Sequence, residues 1–142
     1  MIFPTIFLIK TLYSALLGFI IGAQRESSGK AAGSRTVALV SLGATVFTIL
    51  SAEGFAGYGT VLDPARIAAQ IVVGIGFLGA GTIIFANDKV QGLTTAASLW
   101  VAASVGLLVG VGMYLEALIL TGIILLLLSI NKVQIKKGWL KK

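Results

Sequence analysis

Ile71–Gly81 reads IVVGIGFLGAG, in which three glycines follow the spacing G-x-G-x-x-G. In soluble proteins this spacing is typical of a dinucleotide-binding turn between a strand and a helix. Here the glycines lie inside a long apolar run that begins at Asp63-Pro64, a pair suited to the start of a helix. The segment therefore predicts either a phosphate-binding loop or a closely packed helix, and its surroundings decide between them.

The composition of the chain is that of an integral membrane protein. Of its 142 residues, 57% are hydrophobic and 11% are charged, whereas soluble domains have about 45–50% apolar and about 25% charged residues. So few polar side chains cannot cover a water-exposed surface, and the length suits one bundle. A phosphate in the middle of a bilayer would be desolvated without a basic residue close by. We therefore interpret the glycines of Ile71–Gly81 as packing residues.

Residue types that are absent or scattered exclude several functions. The chain has no cysteine and no histidine, which excludes thiolate and imidazole metal sites, cysteine nucleophiles and histidine bases. The five acidic residues fall on both sides of the membrane without a convincing ligand spacing. We therefore predict no metal site, no cofactor and no enzymatic activity. The net charge of +6 comes from basic residues beside apolar segments, where the expected partners are lipid head groups and not nucleic acid.

Five segments are long and apolar enough to cross a membrane as helices, because a hydrocarbon core of about 30 Å requires about 17–25 apolar residues. The predicted fold class is all-α, a polytopic transmembrane helical bundle with those five spans. Residues 1–131 are assigned to the transmembrane domain and residues 132–142 to a basic cytoplasmic tail. The predicted spans are Ile2–Ala23, Thr36–Ala52, Pro64–Ala86, Leu93–Gly112 and Leu115–Asn131.

The distribution of basic residues predicts the orientation of the bundle. When the loop at 24–35, the connection around Lys89 and the C-terminal tail are placed inside, nine of the eleven basic residues are cytoplasmic. Only Lys10 and Arg66 then lie in the outer half, and we expect Lys10 to snorkel towards the nearer interface. The positive-inside rule therefore predicts an N-terminus outside and a C-terminus inside.

Small residues at four-residue spacing predict close contacts between helices, because dispersion and weak Cα–H···O bonds drive helix association in lipid. The glycines of the third span cover more than one of its faces, so we predict that this span is central. The same faces are compatible with a homodimer, although one protomer could use them all internally. The predicted packing residues are Gly18, Gly22, Gly74, Gly76, Gly79, Gly81, Ser98, Ala102, Gly106 and Gly110.

Polar residues near the ends of the spans are candidates for function. Arg66 and Gln70 share a helix face close to Asp63. They either snorkel and bond to backbone carbonyls, or line a polar cavity that opens outward with Glu53 or Glu116 nearby. The polar residues on the cytoplasmic side either set orientation and contact lipid, or form a network across the mouth of the bundle. The cytoplasmic candidates are Arg25, Glu26, Arg35, Thr36, Asp88, Thr94 and Thr95.

The chain carries four distinctive motifs between Leu12 and Gly112: LGFIIGAQRE, AGSRTVALVSLGA, DPARIAAQIVVGIGFLGAGTII and VQGLTTAASLWVAASVG. In their order and spacing they resemble the MgtC/SapB family. The resemblance implies a multi-pass protein of the prokaryotic inner membrane with an extracytoplasmic N-terminus. It also implies a link to magnesium limitation and, in pathogens, to survival inside host cells. Members are regarded as regulators of membrane energetics, with ATP synthase as a partner, more than as magnesium carriers.

Two departures from the family pattern bear on function. The chain has QRE at 24–26 where many members have ERE, so an acid at position 24 is not essential to a shared activity. It ends at KKGWLKK where full MgtC proteins continue into a soluble domain, so it resembles the short, SapB-like form. Two functions follow as alternatives: a regulatory protein that binds other membrane proteins, and a small ion transporter or channel, for example for Mg²⁺.

Overall fold

The computed structural model describes residues 2–54, 63, 65–86 and 88–136, with side-chain surroundings for 4–130 of these. The described chain is a bundle of helices with one short β-hairpin and a π-helical turn, Leu50–Gly54, that extends the second helix. The elements are α1 (Ile2–Glu26), α2 (Ser34–Ile49), α3 (Ala65–Ala80), β1 (Ile84–Ala86), β2 (Lys89–Gln91), α4 (Leu93–Gly110) and α5 (Tyr114–Lys136).

Three stretches of helix are long and apolar enough to cross a membrane: Pro4–Glu26, Ser34–Gly54 and Leu93–Gly110. Two further apolar helices, Ala65–Ala80 and Tyr114–Ile130, are shorter than a full span. The predicted helical membrane bundle therefore has direct support from three helices. The count of five crossings and the orientation of the termini remain predictions.

The third predicted span was wrong beyond Ala80, because α3 ends there and does not continue to Ala86. A tight turn closes the helix: Gly81 N–H donates to Phe77 O at 3.1 Å, and Thr82 N–H donates to Gly79 O at 2.9 Å. The Thr82 hydroxyl donates to the same Gly79 carbonyl at 2.7 Å. These bonds satisfy carbonyls that a continued helix would use, so the following apolar residues are free to form a strand. Pro64, the predicted first residue of this span, lies outside the described residues.

A two-stranded antiparallel sheet replaces the last turns of the predicted third helix, so the all-α prediction needs this correction. Phe85 lies opposite Val90, flanked by the pairs Ile84–Gln91 and Ala86–Lys89. Asp88 takes a left-handed conformation with φ 57° in the turn, which aspartate tolerates better than most residues. The glycine that follows β2, Gly92, has φ 90°, and its backbone approaches the carbonyl of Thr82. A side chain at position 92 would collide with that carbonyl.

The central helix is α4, and the prediction that the third span is central was wrong. α4 contacts α1, α2, α3 and α5, and nine of its residues are buried. In α3, by contrast, the buried residues are Ile71 and Gly79. On α4 the small residues form one stripe, Ser98, Ala102, Gly106 and Gly110, that lets neighbouring backbones approach closely.

The predicted packing glycines divide into enclosed and open positions. A Cβ atom added to Gly18 would lie 2.8 Å from Val37 O, and one added to Gly22 would lie 2.6 Å from Gly33 O. On α4, a Cβ atom added to Gly106 would collide with the backbone of Ser41, and one added to Gly110 would lie 2.5 Å from Thr48 Cβ. These glycines bring α1 and α4 against α2.

The glycines of α3 behave differently. A Cβ added to Gly79 would lie 3.4 Å from Ala96 Cβ, which is ordinary contact with α4. A Cβ added to Gly74 or Gly76 would meet no described atom within 4 Å, and Gly81 faces only the Leu78 and Phe77 carbonyls of the turn before it. Within the described chain, Gly74, Gly76 and Gly81 therefore pack against no neighbouring helix, and their assignment to helix contacts stays a prediction.

Candidate functional site

The contact between α1, α2 and α4, here called the central seam, holds most of the buried polar side chains of the described bundle. At one end Arg25 of α1 is only 1% exposed. Its guanidinium donates from Nη1 to Ser98 Oγ at 2.7 Å and from Nη2 to Thr95 Oγ1 at 2.6 Å. Its Nε is buried without a partner among the described residues. Neutral oxygens therefore surround an enclosed positive charge.

The position of Arg25 is electrostatically unusual. Ser98 and Thr95 belong to the first two turns of α4, and the N-terminal end of a helix carries a partial positive charge. A buried charge is costly unless it is paired or richly hydrogen-bonded. The neighbouring Ser98 hydroxyl donates to Thr94 O at 2.6 Å, which leaves its lone pairs for the guanidinium. Of the predicted cytoplasmic candidates, Arg25, Thr94 and Thr95 are thus brought together.

Glu26 points away from this cluster although it is adjacent to Arg25 in sequence. Its Oε2 accepts hydrogen bonds from the Ser34 backbone N–H at 2.9 Å and the Ser34 hydroxyl at 2.6 Å. The preceding Gly33 occupies the N-cap position of α2 and has no side chain to cap the helix. Glu26 supplies that cap, and its negative charge suits the helix N-terminus. The carboxylate therefore ties the end of α1 to the start of α2.

The remaining cytoplasmic candidates do not join the Arg25 cluster. Arg35 and Thr36 are exposed on the first turn of α2, and Asp88 is exposed in the hairpin turn. No contact among the described residues joins Arg35 or Asp88 to Arg25, whereas the positive charge of Arg35 attracts the Glu26 carboxylate. In the described part of the chain, the predicted network across the bundle mouth therefore consists of the Arg25 cluster and the Glu26 cap, with Arg35 beside the cap.

The other end of the central seam holds Lys10, which the sequence analysis placed at the interface. The prediction of snorkelling was wrong, because Lys10 is 8% exposed and its Nζ donates to Gly110 O at 2.8 Å. Its Nζ also lies 3.7 Å from Glu53 Oε1. Gly110 is the last residue of α4, where the helix dipole favours a cation. Glu53, which was predicted near an outer cavity, instead pairs with this lysine.

A cluster of hydroxyls lies between the two cations and was missed from the sequence. Ser14 Oγ lies 2.9 Å from Ser41 Oγ, and Thr45 Oγ1 lies 2.8 Å from Gly106 O and 2.7 Å from Ser14 Oγ. The signal that could have revealed it is the four-residue spacing of Lys10, Ser14 and Gly18 on one face of α1. Polar and small residues thus line the central seam on all three helices.

The predicted outer cluster of Asp63, Arg66 and Gln70 does not form a cavity among the described residues. Asp63 Oδ1 accepts from the Ala65 backbone N–H at 2.9 Å and so caps the start of α3. Arg66 is exposed, and its backbone N–H donates to Asp63 O at 3.1 Å. Glu116, the other acid considered for this cavity, is exposed on α5. Gln70 is exposed and faces a different feature, the groove between α2 and α3.

This α2–α3 groove is an open pocket on the surface of the bundle. It has a volume of about 620 Å³ and is almost wholly apolar. Gly43 and Gly74 lie along it, and an added Cβ at either would meet nothing within 4 Å. Its lining residues are Thr36, Leu39, Val40, Gly43, Ala44, Phe47, Ile67, Gln70, Ile71, Gly74, Ile75 and Leu78.

The arrangement offers little to a metal ion. Among the described residues no three acidic side chains come together as a ligand group. The buried charges of the seam are both positive, and the acids beside them serve as a helix cap and as the partner of Lys10. The described polar side chains of the seam thus bond to one another and to backbone carbonyls, and so tie α1, α2 and α4 together.

Comparison with known proteins identifies relatives over most of the chain. It is 46% identical over 112 residues to "Putative magnesium transporter YhiD" of Escherichia coli K12, covering 76% of this chain and 52% of the relative. It is 48% identical over 126 residues to "Protein MgtC" of Salmonella typhimurium LT2, covering 88% of this chain and 51% of the relative. The chain thus spans about half the length of these curated relatives.

A third relative, an uncharacterized protein of Haemophilus influenzae, is 38% identical over 139 residues, covering 94% of this chain and 58% of the relative. No solved structure matches the chain. The model of the MgtC family matches residues 11–136, which include the central seam apart from Lys10, the α2–α3 groove and the hairpin. The chain therefore belongs to the MgtC family.

Proposed function

We propose that this chain is a regulatory protein of the inner membrane, linked to magnesium supply, that acts by binding another membrane protein in the α2–α3 groove. The observation that carries the proposal is the groove itself. Its glycines expose helix backbone at positions where a second helix packs closely in lipid. Gln70 adds one amide that could bond to a partner helix, since a polar group exposed to hydrocarbon is costly without a partner.

The buried charges favour this role over magnesium conduction through one protomer. A passing Mg²⁺ ion prefers oxygen ligands that include carboxylates. In the central seam it would meet Lys10 near one end and Arg25 near the other, both enclosed. Repulsion between like charges is strong where water is excluded. The polar interior of the bundle is therefore better suited to holding helices together than to passing a divalent cation.

The proposal is tested by photo-crosslinking in native membranes. A photoreactive residue replaces Leu39 or Gly74 in the groove, and the matched control replaces Leu126, which is 71% exposed on α5. We expect a discrete adduct from the groove positions alone, and ATP synthase is the first partner to test for because of the family resemblance. A second variant, Phe47→Trp, enlarges a groove side chain and should reduce the adduct. Equal labelling from Leu126 would contradict the proposal.

A second candidate function is a transport role completed by two protomers. The name of the Escherichia coli relative, a putative magnesium transporter, favours it, and Arg66 and Gln70 are exposed on α3 where another copy could contribute. This candidate requires that purified protein admits Mg²⁺ into liposomes and that Arg66→Ala or Gln70→Ala reduces influx. Influx that neither variant changes would remove its support.

A further inference from the structure

The β-hairpin of residues 84–91 presents one wholly apolar face to its surroundings. Phe85 and Val90 lie opposite each other in register and therefore project from the same side of the sheet. Phe85 is 73% exposed and Val90 is 54% exposed. The opposite side pairs Ile84 with Gln91 and Ala86 with Lys89, so it carries an amide and a charge. The hairpin is therefore amphipathic.

The hairpin is also fixed in orientation relative to α3. The turn that ends α3 is closed by bonds to Phe77, Gly79 and Ala80 carbonyls. At the other end of the hairpin, Gly92 packs its backbone against the Thr82 carbonyl. Its apolar face is thus held in place by the contacts at its base. A face held open in this way requires an apolar partner in the functional protein.

The length of α3 indicates what that partner is. Its 16 residues extend about 24 Å, which is less than the hydrocarbon thickness of about 30 Å. The apolar surface of α3, including Phe77 and Leu78, is exposed along the outside of the bundle and continues into Ile83, Ile84 and Phe85. The hairpin lies where the missing length would be. Lys89, the first residue of β2, is exposed, and its long side chain can reach the head groups.

We propose that this hairpin lies in the boundary between head groups and acyl chains of the leaflet at the C-terminal end of α3, with Phe85 and Val90 directed into the acyl chains. An irregular element with free strand edges is excluded from the hydrocarbon centre, because its outward N–H and C=O groups would lack partners. At the boundary, water and head groups supply those partners while the apolar face is buried. The bilayer, rather than a second protein, thus covers this face.

Fluorescence quenching by brominated lipids tests the proposal. Trp100→Phe and Trp139→Phe remove both native tryptophans, and Phe85→Trp then introduces a single probe. In phosphatidylcholine–phosphatidylglycerol vesicles we expect blue-shifted emission that loses more than half its intensity to bromines near the head-group end of the chains. Bromines near the chain ends should quench less. Gln91→Trp, on the opposite face, is the matched control and should be quenched less by either lipid.

Three results would overturn the proposal. Water-like emission from the Phe85→Trp probe that neither lipid quenches would place the face in solvent, and blue-shifted emission that neither lipid quenches would place it against protein. Stronger quenching by bromines near the ends of the acyl chains would place the hairpin deeper in the bilayer than the proposal states. Val90→Trp provides a second probe on the same face if the Phe85→Trp variant loses helical circular dichroism, and it must give the same depth.

Discussion

Lys10 and Arg25 lie on α1 about 22 Å apart along the helix axis, and both point into the central seam. Both side chains donate hydrogen bonds to α4. Lys10 bonds to the last residue of α4, and Arg25 bonds to side chains in the first two turns of α4. The two cations therefore fix the lengthwise register of α1 against α4. The sequence could not reveal this for Lys10, because its acceptor Gly110 O is 100 residues away and a lysine near a helix end ordinarily reaches for water.

The Glu26 carboxylate caps the N-terminus of α2, and its removal should weaken the fold. Glu26→Ala removes both hydrogen bonds to Ser34 and leaves the N-terminus of α2 without its cap. We expect the free energy of unfolding to fall, because the first backbone N–H groups of α2 lose their acceptor. Unfolding in mild detergent measures it. Asp88→Asn, in an exposed turn that asparagine tolerates, is the control and should change stability little. Equal stability of Glu26→Ala and the unaltered protein would contradict the capping role.

At the scale of elements, α4 organises the bundle through its small residues, whereas α3 lies at the periphery. The four-residue stripe on α4 was visible in the sequence, as were four of the five helices to within a few residues. The end of α3 was not visible, because the apolar run through Ala86 has the composition of a membrane span. The turn at Gly81 and Thr82 ends the helix through local hydrogen bonds that hydropathy does not report.

A pair of glycine substitutions tests this division between α4 and α3. Gly106→Ala places a methyl group against the Ser41 backbone, so α2 and α4 must separate. We expect a loss of about 1–3 kcal/mol in the free energy of unfolding, as for other overpacked contacts. Gly76→Ala enters open space and should stabilise the helix by about 0.5–1 kcal/mol through backbone entropy. Detergent unfolding of both variants measures the difference, and similar losses would contradict the assigned positions.

At the scale of the whole molecule, the orientation in the membrane follows from charge alone and is open to a direct test. The chain has no cysteine, so single cysteines report accessibility without background. Lys30→Cys lies in the loop between α1 and α2, and Met113→Cys lies between α4 and α5. We expect a membrane-impermeant maleimide applied to intact cells to label Met113→Cys and not Lys30→Cys. The reverse pattern would invert the orientation.

The family could be predicted from the sequence, whereas the candidate site could be predicted only in part. Motifs such as GFLGAG and GLTTAASLW point to the family, because several of them agree in order. The outer polar cluster was predicted from helical spacing. Spacing shows which residues share a helix face, but it does not show which other helix, or lipid, that face contacts. Asp63 caps its own helix, and Gln70 faces a groove formed with α2. The buried seam depends on contacts between helices distant in sequence, which one sequence does not contain.

The measurement that tests the central claim most directly is magnesium influx into liposomes carrying the purified protein, followed with a trapped indicator beside empty vesicles. The claim is that the chain acts by binding a membrane partner, with a seam closed to cations by Lys10 and Arg25. It predicts no influx above that of empty vesicles, either for the unaltered protein or for Arg66→Ala. Saturable influx through the unaltered protein, reduced in Arg66→Ala, would contradict it and make α3 part of a transport path.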